Sequence, residues 1–300
     1  MKKRLQESNK CRFCSSMKIT KIIDFGNVAL AGGFLKRENF KEEKKYPQQL
    51  YFCEDCYLLQ IINKVDTKLL FNNYFYFSSA ISTLRKHFSD YAKEITKEFL
   101  KAEEATVLEI GCNDGILLKP FIDLGVKKVI GVDPSTNVIS TIKDPNIFTY
   151  NDFLTENLSK KIIADHGQVN LICANNVFAH ISDMKDVTRA IKNLLKPSGV
   201  FIFEVHYIGN LIEEVQYDMI YHEHIYYYSL LTLQKFFSKF SFEIFNIKLI
   251  KVHGGSIRYY VRHTDKFNDH KISPNLKNLQ RQEYLKGYDK KNTFINYAKK

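Results

Sequence analysis

A parallel α/β sheet with a small metal-stapled module on its N-terminal side is the architecture this sequence predicts. Five short apolar segments, at residues 106–111, 128–133, 147–150, 169–175 and 200–205, are separated by stretches of helical character. Continuous apolar strands alternating with helices mark a parallel sheet covered on both faces. The first segment runs into a turn bounded by Gly111 and Gly115, as in Rossmann-like folds. Upstream, Cys11, Cys14, Cys53 and Cys56 form two C-x-x-C pairs, which read as metal ligands.

The two cysteine pairs are separated by 38 residues. Together they supply four thiolates to one tetrahedral Zn²⁺; unliganded or redox-active thiols are the competing reading. A four-thiolate site is coordinatively closed, so it is structural. It matters energetically because so small a module has little core. Cys112 and Cys173 stand singly within apolar strands.

The chain of 300 residues fits two domains of about 150 each. Its first ten residues are polar and basic with no apolar core of a signal peptide, and no apolar run approaches the ~18 residues of a membrane span. A cytoplasmic protein with no membrane partner is expected. The net charge of +11 is uneven: residues 1–50 carry +7 and 251–300 carry +8, whereas 101–250 carry −4. A polyanion would have to be held by the ends; Lys-rich solvated faces, or a rim for a small diphosphate, account for them as well.

Element by element, residues 1–70 form the zinc-binding module, with strands at 18–24 and 49–53 and a turn at Ala31-Gly32-Gly33. Residues 71–105 form a helical bridge. Within it Ile81, Leu84, His87, Phe88, Tyr91, Ile95 and Phe99 recur at helical spacing over 80–101. Residues 106–263 form the sheet domain. Its helices are expected over 115–124, from 135, and over 183–195, the last stopped by Lys196-Pro197-Ser198-Gly199. A helix over 230–240 then leads to strands 242–251 and 256–262, an antiparallel extension of the sheet. Residues 264–300 are Lys-rich with weak helical character and are expected to open a further, truncated domain.

The segment Glu109-Ile110-Gly111-Cys112-Asn113-Asp114-Gly115 is the candidate cofactor loop. Gly111 permits a tight turn and Gly115 close packing of the helix. Asp133 ends the next strand, where its carboxylate suits both hydroxyls of a ribose. Asn113 stands where a dinucleotide site has its middle glycine, which admits a pyrophosphate. Its loss disfavours NAD and is harmless for S-adenosylmethionine (SAM), whose cationic end Glu109 and Asp114 also suit. Asp152 and Phe153 are positioned for an adenine, and Asn175 and Asn176 lie at the carboxyl end of a strand, where open α/β sheets bind ligands. Taken singly, Glu109 and Asp133 read equally well as helix-capping acids.

Acid–base side chains concentrate in two places. One is Asn176-Val177-Phe178-Ala179-His180; the other runs from Tyr217 to Ser229 and contains Tyr221-His222-Glu223-His224. His222-Glu223-His224 also reads, weakly, as a metal pair, and Tyr226, Tyr227 and Tyr228 read as packing.

These motifs, with Tyr74-Phe75-Tyr76-Phe77-Ser78-Ser79 and His253-Gly254-Gly255-Ser256-Ile257-Arg258, resemble the SAM-dependent C-methyltransferases of deoxysugar biosynthesis. That family acts on nucleotide-linked 4-keto sugars, and the resemblance runs through nearly the whole chain. It implies a Rossmann-like SAM-dependent methyltransferase sheet, SAM and structural zinc as cofactors, and a nucleotide-linked keto sugar as partner. It also implies His224 as the base, with Tyr221, Glu223, His180 and Tyr76 around the sugar. A carbon beside a ketone becomes nucleophilic only after losing a proton, and an imidazole removes protons near neutral pH. Ser15 and Tyr57 stand where such zinc modules commonly carry glycine, and family members continue into another α/β domain. A monomer is expected. An RNA methyltransferase and a non-catalytic SAM-binding remnant are the alternatives; the acidic core and the Tyr/His-rich segment weigh against nucleic acid.

Overall fold

The computed structural model describes residues 9–32, 34–63, 65–71, 74–266 and 270–300; Gly33 of the expected turn lies outside them. The strands in chain order are β1 (Ile19–Ala29), β2 (Lys45–Cys53), β3 (Leu59–Ile61), β4 (Thr106–Ile110), β5 (Lys128–Val132), β6 (Ile147–Tyr150), β7 (Val169–Asn175), β8 (Leu195–His206), β9 (Tyr226–Tyr227), β10 (Phe242–Ile250) and β11 (Ser256–His263). Seven of them form one sheet in the order β10-β11-β8-β7-β4-β5-β6. The pairs from β8 through β6 are parallel, and β11 joins β8 antiparallel with β10 outside it. The expected Rossmann-like sheet with an antiparallel edge is therefore present. β4 and β7 are neighbours although two strands separate them in the chain. Strand order reverses there, which leaves a crevice at the carboxyl ends of both.

β7 keeps its expected bounds, and β4, β5 and β6 stay within a residue of theirs. Loops deviate more. The helix expected over 115–124 begins only at Leu118, because Asn113 (φ 51°) and Gly115 (φ 82°) hold the preceding turn out of helical geometry. Cys112 lies just past β4 rather than within a strand, buried beneath β5. There a Cβ on Gly131 would sit 2.7 Å from its Sγ, so β5 needs glycine at that point. The helix Met184–Leu194 ends just before the expected stop at Lys196-Pro197-Ser198-Gly199, and the chain passes straight into β8, which includes those residues. A register shift between Val169 and Leu171 accommodates the proline at this sheet irregularity. An unanticipated helix, Glu156–His166, crosses from β6 to β7 and is capped by Thr155.

The N-terminal module is a second, antiparallel sheet in the order β1-β2-β3-β9. Its last strand comes from the distant segment after His224, with Leu59 opposite Tyr227 and Gln60 opposite Tyr226. Residues 274–297 form two helices that pack on both modules. Phe294 stacks on Phe52 at 4.5 Å, and the buried Glu283 accepts bonds from the backbone N–H groups of Leu230 and Leu231 and from the Tyr207 hydroxyl.

The helix Ser82–Phe99 is fastened to the sheet by ions. Glu204 on β8 is fully buried and accepts from Arg258 (2.7 Å) and pairs with His87 (2.8 Å). The Arg258 guanidinium lies 3.8 Å over the Tyr91 ring and also reaches Glu94. Removing one partner of such a pair strands the other charge in the interior. Arg258→Met is therefore expected to lower unfolding free energy by about 3–5 kcal/mol. Urea denaturation at pH 7 measures it, and a loss below about 1 kcal/mol, the scale of a surface pair, refutes the role given to the ion cluster.

Candidate active site

The zinc ligands converge as expected. Sγ of Cys11 lies 3.4 Å from that of Cys56, and Cys14 3.5 Å from Cys53; all four sulfurs lie within 4.8 Å of one another. A tetrahedral Zn²⁺ at ~2.3 Å would set its sulfurs roughly 3.8 Å apart, so the set fits the ion. A divalent cation is what lets all four ionise together. Ser15 (φ 62°) and Tyr57 (φ 68°) adopt the left-handed conformation that glycine usually supplies. Each donates its N–H back to the first cysteine of its pair, Ser15 to Cys11 and Tyr57 to Cys53. Phe13 of the knuckle packs on Phe236 at 4.1 Å, and Arg12 bonds the carbonyls of Ile61 and Ile62, so the metal loop is tied to β3 and to the helix Leu230–Phe237.

A cavity of about 430 Å³ opens at the β4/β7 crevice. Of the expected cofactor residues, Glu109, Gly111, Asn113, Asp133, Asp152, Phe153, Asn175 and Asn176 line it; of the expected acceptor residues, Tyr76, His180, Tyr221 and His224 do. Asp114, Gly115 and Glu223 lie outside the lining. Gly111 has φ 67°, and a Cβ there would sit 2.7 Å from Val177 Cγ2, so only glycine keeps this floor open.

Buried acids face the cavity. Glu109 accepts from Asn175 Nδ2 at 3.3 Å, and among the described residues its Oε2 has no partner. Burial pushes its carboxyl well above the usual range. Asp133 accepts from the N–H of Asn113 (2.9 Å) and of Ser135 (2.8 Å), yet burial still raises it. Two desolvated carboxyls in one wall favour a ligand carrying positive charge or several hydroxyl donors. Asn113 and Asp114 turn their side chains elsewhere. Asn113 donates to Tyr76 O and accepts from Ser78 N, and Asp114 accepts from Ser79 N.

The acceptor-side residues arrive from the loop before β9. His224 Nδ1 lies 3.1 Å from Met219 O, and its Nε2 lies 2.8 Å from the Tyr221 hydroxyl. A carbonyl only accepts, so Nδ1 carries the proton and Nε2 presents a lone pair to Tyr221. Burial, then the neighbouring His180, drive the His224 imidazolium well below its ordinary value, so the ring is neutral at pH 7. His180 stands edge-on at 4.9 Å, and burial lowers it to about 4. Glu223 lies 3.7 Å from His180 on the far side, and burial raises it to about 7. His222 turns away and donates to Pro47 O, so the i, i+2 histidines do not converge on a metal. Tyr226, Tyr227 and Tyr228 spend their hydroxyls on backbone carbonyls. Tyr74, Ser78, His206 and His253 also line the cavity. His206 ends β8 at the same carboxyl edge as Asn175, a signal available in the pattern; Tyr74 and His253 sit in motifs already singled out.

Elemental analysis of purified protein is expected to give about one zinc per chain, the stoichiometry of a four-thiolate site. Cys53→Ser should lose the metal and lower the melting temperature; metal-free protein of unchanged stability would sink the zinc assignment.

Among known proteins, the family model described as "Methyltransferase domain" matches residues 84–247. The one described as "Putative zinc binding domain" matches residues 11–71. The chain is 28% identical over 280 residues to C-methyltransferase NovU of Streptomyces niveus, covering 93% of this chain and 66% of that protein. It is 26% identical over 164 residues to the tRNA U34 carboxymethyltransferase of Campylobacter hominis, covering 52% of this chain and 57% of that protein. It thus spans less than two thirds of the length of these relatives. A SAM-dependent methyltransferase structure from Anabaena variabilis aligns with TM-score 0.46 and 16% identity over 61% of this chain and 86% of that one. Among the described residues no helix is long and apolar enough to cross a membrane. With more than half of its 300 residues matched by the first of these family models, the chain belongs to the methyltransferase-domain family.

Proposed function

We propose that the protein is a SAM-dependent C-methyltransferase acting on the carbon beside the ketone of a nucleotide-linked 4-keto deoxysugar. The observation that carries this is the neutral, tautomer-fixed His224 standing in the same cavity as the buried acids Glu109 and Asp133. A base for carbon and a pocket for a cationic nucleoside share one space. The resemblance to the deoxysugar C-methyltransferases and the likeness to NovU over 93% of the chain support the same reading. In it, residues 1–70 are the zinc-binding module, 71–105 the bridge and 106–263 the donor domain.

When bound, SAM supplies an electrophilic methyl group. Asp133 takes its ribose hydroxyls, Glu109 and Asn175 its amino end, and Asp152 and Phe153 its adenine. On the acceptor side the His224 Nε2 lone pair is engaged by the Tyr221 O–H. A substrate carbon must displace that hydroxyl to deliver its proton to Nε2. The displaced Tyr221 O–H is then free to donate to the enolate oxygen, where a preorganised donor lowers the barrier. The nucleophilic carbon and the donor are held in one cavity, so orientation supplies much of the remaining rate. His180 and Tyr76 line the sugar position. Glu223 stands behind His180, outside the cavity lining.

Asp133→Ala is expected to weaken SAM binding by roughly 1–3 kcal/mol, the scale of hydrogen bonds to a charged group. Isothermal titration measures it, and tighter binding of NAD than of SAM overturns the donor assignment.

His224→Ala is expected to lose both methyl transfer and exchange of the substrate proton with deuterated water, by about 10²–10⁴ in rate, while still binding SAM. The unprotonated ring is the active form and its pKa is depressed, so the acidic limb of exchange should fall below pH 6.5. A limb near pH 7 that vanishes in Glu223→Gln belongs to Glu223. A methyl group found on oxygen in the product rules out the enolate route.

A further inference from the structure

Residues 74–79 cross the cavity as an irregular segment between the N-terminal module and the helix Ser82–Phe99. Tyr74, Tyr76 and Ser78 face the cavity, while Phe75 is 68% exposed. Tyr74 to Tyr76 alternate as in an extended strand before the 3₁₀ turn Ser78–Ala80, and among the described residues no strand pairs with them. Side chains take the place of a ladder. Asn137 accepts from Tyr74 N (3.1 Å) and donates to Tyr74 O (2.8 Å). Asn113 donates to Tyr76 O (2.9 Å) and accepts from Ser78 N (3.0 Å). Asp114 accepts from Ser79 N (3.0 Å), and Arg85 bonds Ser79 O.

Asn113 and Asp114 belong to the loop after β4, and Asn137 to the one-turn helix Thr136–Ile139 after β5; both follow the carboxyl ends of strands that form the donor pocket. Asn113 has a second attachment: its own N–H donates to Asp133 Oδ2 at 2.9 Å. Its left-handed backbone, φ 51°, lets the N–H point into the pocket while the amide points to the strap. One residue thus touches the candidate ribose acid with its backbone and the wall bearing Tyr76 with its side chain.

We infer that Asn113, supported by Asp114 and Asn137, is a positioning residue that holds Tyr76 in the acceptor half of the cavity and couples that wall to occupancy of the donor half. The inference rests on the two-substrate reading above. It explains the residue at this point of the turn: a glycine would allow the same backbone but would leave residues 76–78 without a partner. A ligand on Asp133 stiffens the Asn113 peptide, and the stiffened peptide holds the strap, so binding in one half favours order in the other.

The test is hydrogen exchange over residues 74–80, read with and without S-adenosylhomocysteine, alongside titration of that probe. In the wild-type protein the probe is expected to slow exchange of the segment. Asn113→Gly keeps the turn and removes only the side-chain bonds. It should speed exchange about tenfold by opening the strap locally and abolish the probe's effect on it. Asn113→Asp keeps the acceptor for the Ser78 N–H and should recover protection there. Asn137→Ala, which leaves the glycine turn untouched, should free the strap at Tyr74 and guards against a misfolded first variant. Unchanged strap exchange in Asn113→Gly, or a fall in probe affinity beyond about tenfold, overturns the positioning role. Failure of the wild type to bind the probe at all overturns the donor reading itself.

Discussion

The short antiparallel pairing of β3 with β9 is the contact on which the candidate site depends. Only Leu59–Tyr227 and Gln60–Tyr226 face each other, but the pairing gives the N-terminal sheet its edge partner and fixes the end of the loop that carries Tyr221 and His224. An unpaired strand edge with apolar neighbours is unstable and prone to wrong partners. Here the two halves satisfy one another. The thiolate cluster lies one turn from β3, because Cys53 ends β2 and Cys56 precedes β3. A structural ion in it therefore holds more than its own loop. Through Arg12 and Phe13 it braces β3 and the aromatic cluster around β9.

Electrostatics divides the cavity into halves of opposite character. On the sheet side, Glu109 and Asp133 are acids kept out of water with bonding capacity to spare. On the loop side, His180 and His224 are imidazoles kept neutral by the same desolvation. Burial disfavours the charged form in both cases, so acids line one half and neutral imidazoles the other. The arrangement follows from placing polar groups at the carboxyl edge of a sheet whose central strands β4 and β7 are covered on both faces.

The strand pattern was legible in the sequence because β4, β5, β7 and the Val200–Val205 stretch of β8 are buried on both faces, so each reads as a nearly continuous apolar run. The knuckles were legible because a tetrahedral ion demands four soft ligands whatever the fold around them. Loop residues were less so. Asn113 and Asp114 read as cofactor residues from their place after Gly111, yet their side chains serve residues 76–79, a partner more than thirty positions away. Glu223 reads as a sugar contact and stands behind His180 instead. The helix ends before Pro197 as read, but that β8 begins at Leu195 and takes up the proline in a register shift is something only the neighbouring strand defines.

By itself, then, the sequence determined the layered α/β core, the metal cluster and the edge of the sheet where a ligand belongs, since each follows from local periodicity or from ligand chemistry. The tertiary structure decided which side chains meet across that edge. The tautomer of His224 rests on a carbonyl five residues upstream, the fourth strand of the zinc module comes from the far side of the segment carrying Tyr221 and His224, and the wall bearing Tyr76 hangs on the loop after β4. Hydrogen bonds of this kind join groups distant in sequence and leave no periodic trace in it; they exist only once the core has packed and brought the loops together.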